Sequence, residues 1–403
     1  MSNPAELGDT TRVEFTESSI LMESKLTASE SPGSADSTVS DAAPTENFGI
    51  GKKQLVDQYK ALLRAGGIYY PVAYQFLQEL GRGRQGVVFL GLRQGARGCI
   101  TRHAIKLFDP SIYPNARRYW TDMGRIASQI SQLQSVRTPF LASRETYEES
   151  NGIGYVQMEA IDGMDLSHFV RKRQLERAKE NASEAEWERF TNTIFRQQGE
   201  NLSVQPGIAV YIMRQILRAL EVLHEHGFVH SDVKPSNVMI DRLGNARVID
   251  FGRAVRIGEK VSMLLGTPYY MAPETHRREP GRAQSDLFSV GMMGIEMLCG
   301  RNLMASNNEE ELLAFKLELP DRLHEILPEH VRKSSTLVEI LRGFIFQDPD
   351  RRFGSARAAE SGPRGLLNMH RELARMEVDA NYGRELEGYL SKFANPMTKR
   401  IEI

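Results

Sequence analysis

Three polar side chains within residues 230–252 have the types and the spacing needed for metal and phosphate chemistry. Asn237 follows Asp232 by five residues, and two short apolar stretches on either side of a turn-forming segment then lead to Asp250. Two extended stretches joined by a turn predict a hairpin that returns Asp250 to Asn237. A carboxylate and an amide oxygen suit Mg²⁺, and the Asp232 carboxylate is suited to accept a proton from a hydroxyl nucleophile.

Each of these residues alone is an ordinary turn former, so a surface loop is the alternative interpretation. A glycine motif earlier in the chain bears on the choice. Gly81, Gly83 and Gly86 lie between an alternating stretch and the β-branched and aromatic run VVFL. The pattern predicts strand, glycine turn and strand, whereas a dinucleotide-binding motif would run into a helix. Bare glycine backbone in such a turn can lie over nucleotide phosphates.

A third motif contains a lysine. Lys106 ends the sequence HAIK about twenty residues after the glycines and has apolar neighbours on both sides. In this order G-x-G-x-x-G-x-V, H-A-I-K, H-S-D-V-K-P-S-N and D-F-G resemble the motifs of protein kinases, and GTPYYMAPE and DPDRR extend the resemblance from about residue 74 to 352. The resemblance implies an α+β, bilobal protein kinase fold, with a small β-rich N-lobe and a larger, mainly helical C-lobe.

The resemblance also implies roles for individual residues. Asp232 would orient the acceptor hydroxyl and take its proton, while Lys234 and Lys106 would offset phosphate charge as the other catalytic residues. Asn237 and Asp250 would hold Mg²⁺. The residues implied to bind ATP are Gly81, Gly83, Gly86, Val88, Ala104, Lys106, Met158, Glu159, Ile161, Asp165 and Met239.

The kind of acceptor follows from two of these motifs. A lysine two residues after the catalytic aspartate, here Lys234, and the segment GTPYYMAPE resemble serine/threonine kinases. Thr267 would bridge Asp232 and Lys234, and Tyr269 and Tyr270 would line the path of a protein substrate. Small-molecule kinases of the aminoglycoside phosphotransferase type are the alternative class, but they generally lack the segment from GT to APE.

Two positions depart from the family pattern. The helix glutamate that should pair with Lys106 falls on Gln129, and Asp122 lies about 10 Å away along a helix. This departure favours a pseudokinase as the alternative function. Ser231 replaces the arginine that binds an activation-loop phosphate, so we expect activity that does not depend on phosphorylation of that loop at Ser262 or elsewhere.

Three further residues are expected to hold the structure together. The resemblance implies that Asp286 braces the catalytic loop, which is the segment H-S-D-V-K-P-S-N at residues 230–237. It also implies that Arg352 pairs with Glu274. His230 is expected to pack structurally rather than to take part in chemistry.

Composition limits the remaining classes of function. The 403 residues carry a net charge of -1, so no overall basic field suggests nucleic acid as a partner. The charge is uneven, with about -7 on residues 1–50 and about +6 on the remainder. Two cysteines without CxxC spacing predict neither disulfides nor a zinc site. No apolar run approaches the ~18 residues that cross a bilayer, and the acidic N-terminus is not a signal peptide. We therefore expect a cytoplasmic protein with no membrane span.

The order of segments along the chain is also predicted. The Ser/Thr-rich acidic tail has too little apolar surface to fold and is expected to be disordered. A charged insertion is expected to form a solvated helical excursion, and either it or the tail could dock a partner. The expected segments are the tail at 1–48, a helical extension at 49–72, the N-lobe at 73–158, the C-lobe at 159–355 with the insertion at 171–206, and a C-terminal helical extension at 356–403.

Overall fold

The structure, a computed structural model, describes residues 50–69, 72–198, 201–250, 252–260, 268–306, 308–376 and 381–394. The chain divides into two compact units, of which the first holds residues up to 128 together with 145–160, and the second holds residues 129–144 and 161–395. The tail predicted to be disordered, residues 1–48, lies outside the described residues, as do Ser262 and Thr267.

The first unit is built on an antiparallel sheet of six strands in the order β1-β2-β3-β4-β6-β5. Strands β3 and β4 are both long and pair over nine residues, and the apolar side chains of β4 are buried along its second half. The elements are α1 Lys52–Ala65, β1 Gly67–Ile68, β2 Tyr74–Gly83, β3 Gly86–Gln94, β4 Ile100–Phe108, α2 Ala116–Leu133, β5 Arg144–Ser150 and β6 Ile153–Glu159, with α2 and β5 each running across the boundary between the units.

Helix α1 forms because its apolar residues fall on one face. Leu55, Tyr59 and Leu62 recur at helical spacing and are buried, while Asp57 and Lys60 between them are exposed. The helix ends before Gly66, whose backbone takes the left-handed conformation that glycine commonly adopts at the end of a helix. Burial raises the pKa of Tyr59 to about 12, as expected for a phenol inside an apolar contact.

The second unit is mainly helical. Its strands are short and form small sheets, of which the largest within the described residues has the order β12-β11-β7. The elements are β7 Gly163–Asp165, α3 Leu166–Phe169, α4 Lys172–Asn181, α5 Glu184–Thr193, β8 Phe195–Gln198, β9 Asn201–Val204, α6 Pro206–Glu225, β10 Phe228–Val229, β11 Val238–Asp241, β12 Ala246–Val248, β13 Val255–Arg256, α7 Pro273–His276, α8 Ala283–Cys299, α9 Glu309–Ile326, α10 Glu329–Arg332, α11 Ser335–Ile345, α12 Ala356–Ser361, α13 Leu366–Met376 and α14 Tyr382–Phe393.

Helices α6 and α8 form the centre of the second unit. Most residues of both helices are buried, and α8 is apolar on nearly every side, whereas α6 keeps a polar face that carries Arg218, Glu221 and Glu225. They approach closely because Gly294 has no side chain: a Cβ there would lie 2.5 Å from the Met213 sulfur. This packing supports the loop between β10 and β11, which carries Asp232.

The charged insertion differs in part from the expectation. Helices α4 and α5 are present, but the residues after α5 form the antiparallel hairpin β8–β9. The segment is also not wholly solvated, since Phe190 and Phe195 are buried against Tyr389 of α14, with ring centroids 5.4 and 5.3 Å apart. The local sequence could not predict this burial, because Tyr389 lies nearly two hundred positions further along the chain.

The expected fold class is confirmed, since one unit is rich in antiparallel strands and the other is mainly helical. No helix within the described ranges is both long enough and apolar enough to span a bilayer.

Candidate active site

The loop between β10 and β11 is fixed by a buried carboxylate, as predicted. Asp286 of α8 accepts hydrogen bonds from the main-chain nitrogens of His230 at 2.8 Å and Ser231 at 2.9 Å. His224 of α6 donates to the same carboxylate at 2.9 Å. The backbone at Ser231 has a positive φ of 63°, a strained conformation that these bonds help to hold.

His230 links this loop to the strand that leads to Asp250. Its Nδ1 accepts the main-chain N–H of Asp232 at 3.2 Å, and its Nε2 lies 3.3 Å from the carbonyl oxygen of Ile249. Burial lowers the pKa of His230, so the ring is neutral with its proton on Nε2. The ring therefore has the structural role expected from the sequence.

Asp232 is held by donors from its own loop. Lys234 Nζ donates to Oδ2 at 2.9 Å, and Asn237 Nδ2 donates to the same oxygen at 3.1 Å. Asn237 Nδ2 also lies 2.8 Å from the main-chain oxygen of Asp232. The three residues that the sequence singled out in this loop thus form one hydrogen-bonded group.

Arg253 joins this group, and sequence reasoning missed it. Its Nη1 donates to Oδ1 of Asp232 at 3.2 Å, and the residue is 5% exposed. Asp232 therefore accepts from a cation on each of its two oxygens. The sequence feature that could have indicated Arg253 is its position, directly after the D-F-G motif.

The predicted hairpin brings Asp250 back to Asn237. Val238 pairs with Val248, and the next rung is a bond from Ile249 N to Asn237 O at 2.9 Å. Asp250 follows with a positive φ of 52°, which turns the chain out of the strand. The two predicted metal ligands therefore lie at the same end of the hairpin, since Asn237 directly precedes Val238 and Asp250 directly follows Ile249.

The side chains here fit a hard divalent cation. Both Asn237 nitrogen bonds go to Asp232, which leaves the amide oxygen as the group available to a metal. With the Asp250 carboxylate it provides oxygen ligands, the type that Mg²⁺ prefers. The described residues contain no cluster of three or more His, Cys, Asp or Glu side chains that would hold a metal by protein ligands alone. A magnesium ion shared with phosphate oxygens suits this small set.

Two of the predicted nucleotide ligands in the second unit are neighbours. Asp165 of β7 pairs in register with Met239 of β11. The Asp165 carboxylate caps α3, accepting from His168 N at 3.0 Å, and lies 2.5 Å from His168 Nδ1. Ile161 precedes them and is buried. The Asp165 carboxylate is thus held in place by contacts with His168.

The other predicted nucleotide ligands lie on the sheet of the first unit. Gly83 pairs with Gly86 at the turn, and Val88 pairs with Lys106 across β3 and β4. Gly86 requires glycine, because its φ is 146° and a Cβ would lie 1.9 Å from the Leu107 oxygen. The glycine motif is therefore the strand-turn-strand structure that the sequence predicted.

Lys106 is buried within this sheet at 5% exposure. Its ammonium donates to Gln85 Oε1 at 3.2 Å and lies 5.5 Å from the centre of the Phe108 ring. Ala104 pairs with Met158 on the next strand, and Glu159 is one residue further. The predicted site residues are thus divided: those from Gly81 to Glu159 belong to the first unit, and those from Ile161 to Asp250 to the second.

Gln129, at the position of the family's helix glutamate, and Asp122, the acid nearest to it in the sequence, both form hydrogen bonds. Gln129 is buried and donates from Nε2 to the main-chain oxygen of Ala254 at 2.8 Å. Asp122 accepts from Tyr113 Oη at 2.7 Å and from Arg125 Nε at 2.9 Å. Gln129 therefore contacts the backbone shortly after Asp250.

A buried ion pair closes the second unit, as predicted. Arg352 meets Glu274 in a two-pronged contact, with Nη1–Oε1 at 2.7 Å and Nη2–Oε2 at 2.9 Å. Burial raises the pKa of Glu274, but the hydrogen bonds and the charge of Arg352 outweigh burial and leave that pKa below its ordinary value. Ser285 donates to the same carboxylate at 2.7 Å.

Lys316 of α9 is a second residue that sequence reasoning missed. It is fully buried, and its ammonium donates to the main-chain oxygens of Pro268 at 2.5 Å and Met271 at 2.7 Å and to His276 Nε2 at 2.8 Å. Burial lowers the pKa of Lys316 to about 7. Nothing local in the helix sequence distinguishes this lysine from a solvated one.

The fold and the site together define a protein kinase. The family described as the protein kinase domain matches residues 74–362, most of the chain, so the chain belongs to that family. It is similar to the serine/threonine-protein kinase atg1 of Aspergillus niger, with 26% identity over 68% of this chain and 29% of the relative. It is also similar to the serine/threonine-protein kinase PrkC of Bacillus subtilis, with 28% identity over 57% of this chain and 30% of the relative. The chain spans less than a third of the length of these relatives.

Proposed function

We propose that this chain is a serine/threonine protein kinase that transfers the γ-phosphoryl group of ATP to Ser or Thr hydroxyls of proteins. The observation that carries the proposal is the pairing of Asp232 with Lys234 Nζ at 2.9 Å and with Asn237 Nδ2 at 3.1 Å. A base, a cation and a metal ligand in one hydrogen-bonded group are the parts that phosphoryl transfer requires.

Asp232 orients the acceptor hydroxyl and takes its proton. Lys234 is poised beside it and offsets the charge that develops on the transferring phosphoryl group. Because donors from Lys234, Asn237 and Arg253 fix the carboxylate beforehand, little reorganisation accompanies the reaction.

Asn237 and Asp250 would hold Mg²⁺, which would neutralise phosphate charge when bound. ATP would be bound by the glycine turn, Lys106, Met158 and Glu159 of the first unit and by Asp165 and Met239 of the second. The glycine turn supports this assignment because its backbone carries no side chains that would block phosphates.

Specificity for Ser and Thr rests on Lys234 and on the names of the relatives, which are serine/threonine kinases. Independence of activation-loop phosphorylation rests on Ser231, whose main chain is bonded to Asp286 and whose hydroxyl carries no charge to pair with phosphate. We expect phosphate at Ser262 to change activity by less than about twofold. A rise of roughly tenfold in a phosphorylated sample would contradict this part of the proposal.

A pseudokinase is the second candidate, and one observation favours it. Gln129 stands where the family has a charged glutamate, and its amide nitrogen is bonded to the Ala254 oxygen. A neutral amide forgoes a charge-assisted bond, which is worth roughly 1 kcal/mol or more to the positioning of a lysine.

The test is transfer of radiolabelled phosphate from ATP, with Mg²⁺, to the protein itself and to a generic protein substrate. The Asp250→Asn variant serves as the matched control, because it keeps the shape of the side chain and removes the metal-binding charge. Label on Ser or Thr with the native protein alone supports the kinase. Binding of ATP without any transfer identifies the pseudokinase.

A further inference from the structure

The second unit contains a large cavity that combines the catalytic loop with the charged insertion. The cavity has a volume of about 1210 Å³, and its wall includes Lys234 and Ser236 of the catalytic loop and Tyr269 and Tyr270 of the segment that follows residue 267. It exceeds the size of most small-molecule sites, which suits an extended peptide. A peptide bound here would pass beside Lys234 and so beside the group around Asp232.

The insertion gives this groove its charge. Arg171, Lys172 and Lys179 of the insertion line the cavity, and Arg301 in the loop after α8 also contributes to the lining. All four side chains are exposed. Within the described ranges none of them forms an ion pair with a carboxylate: Arg171 meets His168 Nε2 at 3.4 Å, and Arg301 lies 3.5 Å from the oxygen of Asn302.

The acidic residues of the groove do not offset these cations. Glu176 is the one exposed carboxylate among the lining residues. Glu296 is half-buried and accepts the Tyr270 hydroxyl at 2.5 Å, and burial raises its pKa. The groove is therefore basic although the whole chain is close to neutral.

We propose that this groove selects protein substrates whose acceptor Ser or Thr is flanked by acidic residues. The proposal rests on the proposed kinase function and deepens it. Arg171, Lys172, Lys179 and Arg301 determine specificity by attracting carboxylates on the substrate, and Glu176 alone opposes them. A substrate with basic flanks meets these four cations and is disfavoured.

The test uses the whole chain and synthetic peptides with one acceptor sequence, flanked on both sides by glutamates, glutamines or lysines. We expect kcat/KM for the acidic peptide to exceed that for the basic peptide by about tenfold or more. The two peptides should differ in KM rather than in kcat, because the cations act on binding. The preference should weaken as salt is raised, because the cations are exposed. Equal rates on the three peptides, or a preference for lysines, would overturn the proposal.

Charge reversal on α4 offers a matched pair of variants. The double variant Lys172→Glu, Lys179→Glu should lower the ratio of acidic to neutral peptide kcat/KM by about tenfold. The control is Arg173→Glu, Arg177→Glu, which makes the same change of charge on the same helix, at exposed residues outside the groove lining. The control should change the ratio by less than about twofold. Equal effects of the two variants would overturn the proposal.

Two further outcomes are informative. Arg301→Glu lies outside the insertion, so it tests the groove even if the α4 variants fail to fold, and it should lower the same ratio. If the acidic residues 1–49 of the chain itself filled the groove, charge reversal would speed all three peptides alike, which contradicts the proposal. No label on any peptide or on the protein would instead refute the kinase function on which the proposal rests.

Discussion

Arg253 donates to Oδ1 of Asp232 at 3.2 Å while Lys234 occupies Oδ2 at 2.9 Å, so the carboxylate of the proposed base lies between two cations. The two cations come from different segments, one from the loop itself and one from the chain just beyond Asp250. The orientation of Asp232 therefore depends on the conformation of the residues that follow the metal-binding motif.

Loss of the Arg253 charge should slow transfer without abolishing nucleotide binding. We expect Arg253→Met to lower kcat by about ten- to a hundredfold, since a hydrogen bond to a charged group contributes about 1.5–3 kcal/mol, and to change KM for ATP less than twofold. Arg253→Lys should recover part of the rate. Steady-state kinetics of both variants checks this, and equal losses in the two would indicate a purely steric role.

Asn237 should affect both the metal and the base. Asn237→Ala removes the amide oxygen and the two bonds to Asp232, so we expect kcat to fall by about a hundredfold and the Mg²⁺ concentration for half-maximal rate to rise. Asn237→Asp keeps an oxygen ligand but loses the donor. It should therefore require less Mg²⁺ than Asn237→Ala. A titration with Mg²⁺ in which the two variants coincide would contradict the assignment.

The ion pair of Glu274 and Arg352 should be a large contributor to stability. Arg352→Met leaves a buried carboxylate without its partner, at a cost of about 3–5 kcal/mol. The double variant Glu274→Gln, Arg352→Met should be more stable than Arg352→Met alone, because no charge is then buried unpaired. Urea unfolding of the three proteins measures this, and an Arg352→Met variant as stable as the native chain would contradict it.

The same pair predicts a dependence of stability on pH. The pKa of Glu274 lies below its ordinary value of 4.5 in the folded chain, so the unfolded chain binds the proton more tightly. The stability that the ionised pair contributes is complete above the ordinary pKa of 4.5. It is lost as the pH falls from there through the lower pKa of the folded chain. The Arg352→Met variant should lack this loss in acid.

Lys316 predicts an effect in the opposite range of pH. Its folded pKa of about 7 lies below the ordinary value of 10.5, so between these values the unfolded chain holds a proton that the folded chain has released. The free energy of unfolding should therefore rise with pH relative to that of Lys316→Met, by up to about 1.4 kcal/mol per pH unit between roughly pH 7 and 9. Parallel curves for the two proteins in that range would rule this out.

Much of the site could be predicted because its geometry is local. Asp232, Asn237 and Asp250 are joined by a short loop and one hairpin, and the β-branched run around Val248 specified the strand pairing. The contact between Arg352 and Glu274 was predicted from family resemblance, not from spacing. Arg253 shows the limit, because an arginine beside a motif does not reveal which carboxylate it will reach.

The fold of the insertion was harder to predict for a related reason. Its charged residues dominate the local pattern, while the few apolar ones, such as Phe190, are buried only because α14 lies against them. Lys316 shows the same limit inside a helix. Its burial depends on the backbone oxygens of Pro268 and Met271, which lie more than forty positions earlier in the chain.

The contact between α14 and the insertion sets a practical lower limit on any fragment of this protein. Tyr389 packs its ring against Phe169, Phe190 and Phe195, and Arg189 of α5 forms an ion pair with Glu385 at 2.9 Å. A fragment truncated before α14 would uncover these rings, two of which, Phe190 and Phe195, belong to the insertion that lines the groove. It would be prone to aggregate, and assays of substrate preference should use a chain that retains α14.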